Sequence, residues 1–96
     1  MAAGVIKTVA CNGRQFYATM DEGQTTTLAE VSFMCGRGYR YRVRKHDYAA
    51  YFLGFDSYRG ERKYLFAMFD GGEWLGYIRT VNWAKLKAMS NNPLAA

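Results

Sequence analysis

Hydrophobic and polar residues alternate over much of the chain, in short runs separated by turn-forming residues. The first two runs, residues 5–11 and 14–20, are rich in Val, Ile, Thr, Phe and Tyr, which favour strands. Between them lies Asn12-Gly13, a dipeptide that readily adopts the positive φ angles of a tight hairpin turn. The pattern therefore predicts a β-hairpin over residues 5–20.

Residues 28–35 have the spacing of a short helix. Thr27 and Glu30 match a capping box, in which each side chain satisfies a free backbone donor at the start of a helix. The apolar residues of the segment would share one helical face: Leu28, Val31 and Cys35. Gly36 is suited to end such a helix in a left-handed conformation.

Strict alternation over residues 39–44 predicts a strand with two different faces. One face carries apolar residues: Tyr39, Tyr41 and Val43. The other carries three cations: Arg40, Arg42 and Arg44.

Residues 48–55 have apolar positions at helical spacing, and Asp47 is placed to cap such a helix. Their aromatic content and their position between strand-like runs favour a strand.

The end of the chain predicts a second hairpin and a helix. Residues 62–69 and 73–79 are joined by Asp70-Gly71-Gly72, which predicts a hairpin. Residues 81–89 predict a helix with Thr80 as N-cap. Three of its residues are expected to face the sheet: Trp83, Leu86 and Met89.

These elements give the order β-β-α-β-β-β-β-α and an α+β fold. We expect an antiparallel sheet of about five to six strands with one or two short helices on one face. The length of 96 residues predicts a single domain over residues 1–96. Residues 90–96 are expected to form a flexible tail.

Composition and charge narrow the choice of partners. Thirteen Lys and Arg residues outnumber eight Asp and Glu residues, which gives a formal net charge of +5. This surplus favours a macromolecular partner with an anionic surface, such as nucleic acid, a nucleoprotein complex or an acidic protein face.

The N-terminus lacks the pattern of a signal peptide, and no apolar run approaches the roughly 20 residues that span a bilayer. With Cys11 and Cys35 read as reduced, partly buried thiols, we expect a cytoplasmic protein without a membrane partner.

Few residues have the types and spacing that catalysis or metal binding requires. A structural zinc site needs four ligands, whereas the chain has two distant cysteines and His46 alone. The sequence contains no nucleophile elbow or phosphate-binding loop. His46 and Asp47 are adjacent in sequence, but a catalytic pair must meet in space. We therefore expect no catalytic residue, metal, cofactor or small-molecule substrate.

The most informative candidate is a basic cluster within residues 37–46. On a strand, alternate arginines stand about 6.6–6.8 Å apart on one face, which lets their guanidinium groups contact successive phosphates. The alternative is a solvated face whose arginines pair with acids such as Asp56 or Glu61. The predicted binding residues are cations of this cluster and residues near two later turns: Arg37, Arg40, Arg42, Arg44, Lys45, Tyr58, Arg59 and Trp74.

Two functions are consistent with this pattern. The first is non-catalytic binding of nucleic acid, by its phosphates more than its bases, because Tyr39 and Tyr41 point away from the arginines. The second is inhibition of a nucleic-acid-handling protein complex in a prokaryotic host. A compact chain without catalytic motifs is similar in kind to small phage and mobile-element inhibitors, which include the anti-CRISPR proteins.

Residues 41–48, Tyr-Arg-Val-Arg-Lys-His-Asp-Tyr, resemble the arginine- and tyrosine-containing strand of RelE/ParE-type toxins. That family includes ribosome-dependent ribonucleases that use basic residues and no metal. The resemblance therefore implies a metal-free endoribonuclease toxin as an alternative function. It covers about eight of the 96 residues. A long helical pair precedes this strand in the family, whereas a hairpin and one short helix are predicted here.

Overall fold

The computed structural model describes residues 7–94, apart from the side chain of Tyr58. These residues form eight strands and one helix: β1 Lys7–Cys11, β2 Arg14–Ala18, β3 Thr25–Thr27, β4 Ser32–Met34, β5 Gly38–Val43, β6 His46–Tyr58, β7 Glu61–Asp70, β8 Glu73–Thr80 and α1 Trp83–Ser90. The strands pair as β1-β2, β3-β4 and a four-stranded meander β5-β6-β7-β8. The α+β class and the antiparallel pairing are confirmed. Three sheets replace the single larger sheet expected from the sequence.

The first predicted hairpin is confirmed as β1 and β2, which pair antiparallel along their whole length. Asn12 and Gly13 join them with φ angles of 51° and 80°, the left-handed conformation expected of this dipeptide. Residues 5–6 of the predicted hairpin lie outside the described residues. The inward-facing side chains of the pair are buried: Val9, Cys11, Phe16 and Ala18.

The helix predicted over residues 28–35 is wrong, because this segment holds the turn between β3 and β4 and the strand β4 itself. The amide of Leu28 donates to the carbonyl of Val31 at 3.0 Å, which closes the turn. From Val31 to Cys35 every second residue is buried, as in a strand. Val31 and Phe33 favour strands, and their burial in the core outweighs the local capping-box pattern.

The central sheet is built around β6, which has 13 residues and pairs with both β5 and β7. Residues 48–55 lie within β6, so the strand preferred over a helix for this segment is confirmed. The second predicted hairpin is confirmed as β7 and β8, which Gly71 and Gly72 connect with φ angles of 61° and 94°.

A β-bulge interrupts β6 where its register with β7 shifts between Phe52 and Gly54. Gly54 has a φ angle of 113°, a conformation that residues with a Cβ rarely adopt. Thr19, just after β2, contacts this bulge through its amide, which donates to the carbonyl of Leu53 at 3.1 Å. Its hydroxyl accepts a hydrogen bond from the amide of Phe55 at 2.8 Å and donates to the carbonyl of Phe55 at 3.0 Å. These bonds fix the end of the first hairpin to the central sheet.

A different layer covers each face of the central sheet. The β1-β2 hairpin covers one face, and the buried residues there are Val9, Cys11, Phe16, Ala18, Cys35, Leu53, Ala67 and Phe69. Helix α1 and the β3-β4 hairpin cover the other face, where the buried residues are Val31, Phe33, Tyr39, Ala50, Phe52, Tyr64, Phe66, Met68, Leu86 and Met89. Burial on both faces explains why residues 64–69 are continuously hydrophobic.

The predicted C-terminal helix is present as α1, with two differences from expectation. Its N-cap is Asn82, whose side chain accepts a hydrogen bond from the amide of Lys85, and not Thr80. Leu86 and Met89 are buried as expected, but Trp83 is 41% exposed and does not face the sheet. No helix among the described residues is long and apolar enough to cross a membrane.

The segment after α1 runs along the outer edge of β5. The amide of Arg40 donates to the carbonyl of Asn92, and the amide of Leu94 donates to the carbonyl of Gly38, both at 2.9 Å. Tyr39 and Pro93 form an isolated antiparallel bridge between these bonds. These contacts anchor part of the segment for which the sequence predicts a flexible tail, and residues 95–96 lie outside the described residues.

Candidate functional site

The tip of the β5-β6 hairpin carries most of the predicted basic cluster. The pairing of Val43 with His46 leaves Arg44 and Lys45 as a two-residue turn, in which Arg44 has a φ angle of 59°. Arg44 therefore lies in the turn and not on the strand face beside Arg40 and Arg42, as the alternation predicted. A turn without Gly, Asn or Pro gave no sequence signal for this strand end.

Asp47 is the acidic partner of the arginines on β5. It lies opposite Arg42 in the register, with its carboxylate 3.6 Å from Nε of Arg42 and 3.9 Å from Nε of Arg40. The pairing with Asp56 or Glu61 that the alternative interpretation suggested is not found among the described residues, where these acids form ion pairs with Arg79 and Lys63 respectively. The sequence gives no signal for Asp47 as this partner, because its position opposite Arg42 depends on the Arg44-Lys45 turn.

The charges at this tip do not balance. The side chains of Arg40 and Arg42 are 52% and 59% exposed, and they share the carboxylate of Asp47. Arg44 and Lys45 are also exposed. We call Arg40, Arg42, Arg44 and Lys45 the basic tip. Because these four cations outnumber the neighbouring carboxylates of Asp47 and Asp70, the basic tip presents a net positive charge to solvent.

Tyr39 and Tyr41 lie on the opposite face of β5 from Arg40 and Arg42, as predicted. Tyr39 is buried, and its hydroxyl accepts a hydrogen bond from the amide of Met34 at 2.8 Å. Tyr41 is half-buried. These tyrosines therefore belong to the core face and offer no open stacking platform beside the arginines.

Trp74 lies at the start of β8 and packs more than the sequence predicted. Its ring lies 5.5 Å from Phe16 and 5.3 Å from Tyr77, and the guanidinium of Arg14 stands over it at 5.1 Å. The indole nitrogen is buried and has no hydrogen-bond partner among the described residues. The half-buried Trp74 is thus part of an aromatic cluster and is not an exposed contact residue. Arg14, which the sequence reading did not single out, shields its outer side.

The remaining predicted site residues are not brought to the basic tip. Tyr58 and Arg59 lie at the far end of the 13-residue strand β6, roughly 40 Å away along the strand. Arg59 occupies the β6-β7 turn with a φ angle of 53°. Arg37 is exposed before β5, and its carbonyl accepts a hydrogen bond from the amide of Phe52 at 3.1 Å. The predicted set therefore covers at least two separate surfaces.

His46 and Asp70 form an exposed pair beside the basic tip, with Nε2 of His46 and a carboxylate oxygen of Asp70 3.0 Å apart. The ring of Tyr48 lies 4.5 Å from the imidazole.

The thiols Cys11 and Cys35 are buried elsewhere, in the layer below the first hairpin. Within residues 7–94, no three His, Cys, Asp or Glu side chains are grouped so that they could hold a metal ion.

A cleft of about 410 Å³ lies between β5 and α1. Its lining includes Lys85, Ala84, Ala88 and Met89 of α1 together with Arg40 and Arg42 of β5. The guanidinium groups of these two arginines lie with Asp47 on the opposite face of β5, so Lys85 supplies the charge on the α1 side. The ammonium group of Lys85 donates to the hydroxyl of Tyr41 at 3.0 Å and lies 5.5 Å from the centre of its ring. The sequence gives no signal for Lys85 at this site, because only the packing of α1 against β5 brings it there.

Comparison of the chain with protein families, curated proteins and solved structures finds no match. The segment that resembles a RelE/ParE-type strand, residues 41–48, is divided here between two strands and the turn that joins them. The site must therefore be interpreted from its own geometry.

Proposed function

We propose that this chain is a non-catalytic binding protein that acts on nucleic acid through the basic tip, in the cytoplasm of a prokaryotic host. The observation that carries the proposal is the sharing of Asp47 by Arg40 and Arg42. One carboxylate leaves a net positive charge on two exposed guanidinium groups, and Arg44 and Lys45 extend this charge around the turn.

Phosphate contacts are favoured over base recognition. Guanidinium groups bind phosphate oxygens in pairs, and a hairpin tip can approach the backbone of a nucleic acid without a matching base sequence. Readers of single-stranded bases place aromatic and basic residues on the same open face. Here the tyrosines of β5 belong to the core face. We therefore expect binding that depends weakly on sequence and strongly on salt.

A second candidate is an inhibitor that docks on a nucleic-acid-handling protein complex, in the manner of anti-CRISPR proteins. The observation that favours it is an exposed apolar surface on β8, where Leu75 and Tyr77 are 52% and 44% exposed. Exposed apolar patches commonly mark protein interfaces. In this case the basic tip would face nucleic acid or an acidic surface inside the complex, and β8 would supply contacts that do not depend on salt.

The experiment compares two triple variants that remove the same charge. The test variant carries Arg40→Gln, Arg42→Gln and Arg44→Asn, because Asn tolerates the left-handed backbone of position 44. The control carries Lys7→Gln, Lys63→Gln and Lys87→Gln, away from the basic tip. Fluorescence anisotropy with labelled duplex DNA and single-stranded RNA would be measured over a series of salt concentrations.

We expect the test variant to bind at least about tenfold more weakly than the parent, equivalent to about 1.4 kcal/mol. With duplex DNA, its slope of log affinity against log salt should fall by about 2–3 units, near 0.9 for each lost phosphate contact. The control should retain most of the affinity. Equal losses in both variants would mean that net charge alone drives binding, and the basic tip would not be the site.

A further inference from the structure

We propose that the cleft between β5 and α1 binds a short, extended, acidic segment of a partner protein, which adds to the outer edge of β5 as a further strand. This site adjoins the basic tip at Arg40 and Arg42, and its own cation is Lys85 of α1. It rests on three observations: an incompletely paired strand edge, a lysine in the lining and apolar residues on α1.

The outer edge of β5 already accepts added backbone. β5 is the outermost strand of its sheet, and residues 92–94 pair with it through Gly38 and Arg40. In an antiparallel strand the amide and carbonyl of one residue point to the same side. Because the amide of Arg40 points outwards to Asn92, the amide and carbonyl of Arg42 also point outwards.

The pairing stops at Arg40. In a continued ladder the amide of Asn92 would donate to the carbonyl of Arg40, but it donates to the carbonyl of Met89 at 2.9 Å. Among the hydrogen bonds of the described residues, none occupies the carbonyl of Arg40 or the outward amide and carbonyl of Arg42. One donor and two acceptors therefore line this edge, beside the cleft.

The charge of the cleft favours an acidic segment. Lys85 supplies a cation on the α1 side, and none of the described residues that line the cleft is acidic. Lys85 is positioned by the hydroxyl of Tyr41 at 3.0 Å.

The shape of the cleft favours an extended segment in which acidic and apolar residues alternate. Successive side chains of a strand point to opposite sides, so one set can reach Lys85 while the other contacts Ala84, Ala88 and Met89. Backbone pairing to β5 supplies affinity, and the side chains supply specificity, as in other cases of strand addition.

The test uses a fluorescein-labelled peptide of about six alternating Glu and Val residues, with a Gln and Val peptide as control. We expect saturable binding of the acidic peptide and a shift of the backbone amide resonance of Arg42 in ¹⁵N spectra. N-methylation of the residues whose amides face β5 should abolish binding, whereas N-methylation of the intervening residues should have little effect. Equal binding of both peptides, no binding, or an identical effect of the two methylation patterns would overturn the proposal.

Two variants on the exposed face of α1 test which protein residues bind the peptide. Lys85→Met removes the ammonium group and Ala88→Tyr fills the cleft. Each should lower the affinity for the acidic peptide about tenfold. Lys87→Met, on the same helix but paired with Glu30 outside the cleft, is the control. Both cleft variants should bind duplex DNA as the parent does, whereas Arg44→Asn should weaken DNA binding and leave peptide binding unchanged. If Lys85→Met weakened DNA binding and left peptide binding unchanged, the cleft would belong to the nucleic-acid site and the peptide proposal would be wrong.

Discussion

The hydroxyl of Thr19 forms two hydrogen bonds with the main chain of Phe55, accepting from its amide at 2.8 Å and donating to its carbonyl at 3.0 Å. These residues are 36 positions apart in the sequence. The contact holds the end of the first hairpin against the bulge of β6. This contact therefore acts together with the buried side chains of the hairpin to orient the layer that covers this face of the sheet.

Substitution of Gly54 should be costly. A Cβ at this position would overlap the hydroxyl of Thr19, and the φ angle of 113° strains any other residue. We expect Gly54→Ala to lower the free energy of unfolding by about 2–4 kcal/mol, measured by urea denaturation. The control is Gly60→Ala, at a φ angle of 77° with open space around the Cβ, which should cost about 1 kcal/mol. Similar losses in both variants would show that the contact with Thr19 is unimportant.

The two thiols should be unreactive in the folded protein. Burial raises the pKa of Cys11 from 9.0 to about 12, with a smaller contribution from Cys35. Burial also raises the pKa of Cys35 itself. Because the thiolate is the reactive form, Ellman's reagent at pH 8 should react slowly with the native protein and rapidly in urea. Rapid reaction of the native protein would contradict the burial of both thiols.

The raised pKa of Cys11 also gives a direction for stability in alkaline solution. The unfolded thiol releases its proton near pH 9, before the folded thiol does, so the contribution of the neutral buried thiol declines as the pH rises from about 9 to about 12. The melting temperature should therefore fall less steeply over this range in Cys11→Ala than in the parent. Parallel curves for the two proteins would contradict this prediction.

Glu30 should titrate below its ordinary range because of Lys87. A hydrogen bond and charge attraction from Lys87 lower the pKa of Glu30, and Trp83 adds a further hydrogen bond. We expect Lys87→Gln to raise this pKa towards its ordinary value of 4.5, as followed by NMR titration of the side-chain carboxyl. The ion pair contributes to stability above the unfolded pKa and is lost as the pH falls through the folded pKa. An unchanged titration of Glu30 would mean that the pair is not formed in solution.

Removal of metal ions should not change stability. The residues described hold no group of three or more metal-ligating side chains, and the sequence has too few clustered Cys and His residues for a structural zinc. Dialysis against a strong chelator should therefore leave the melting temperature unchanged. A decrease of several degrees would require a ligand set that includes residues outside those described.

The parts of the fold that could be predicted are those with local signals. Asn12-Gly13 determines its own turn, and strict alternation along β5 correctly separates Tyr39 from Arg40. The β3-β4 hairpin was not predicted, because Thr27 and Glu30 match the sequence pattern of a helix N-cap. Val31 and Phe33 are buried against a sheet whose strands lie later in the chain. Local propensity does not contain that information.

The candidate site was predictable in composition but not in geometry. The arginines of β5 stand out in the sequence, yet their partner Asp47 follows from the Arg44-Lys45 turn, which lacks the residues that usually mark turns. Lys85 reaches the β5 edge only through the packing of Leu86 and Met89 beneath the sheet. Contacts between distant segments of this kind have no signature in the sequence.

The placement of a separate layer on each face of the central sheet has a consequence for how the protein is made. The hairpin of residues 7–18 leaves the ribosome before β6 and β7, which supply the surface on which it packs. Helix α1, which covers the other face, follows them in the chain. An isolated two-stranded hairpin is only marginally stable in water. The nascent chain should therefore stay without a stable core until β7 has emerged, and this fold should be completed only after α1 has emerged.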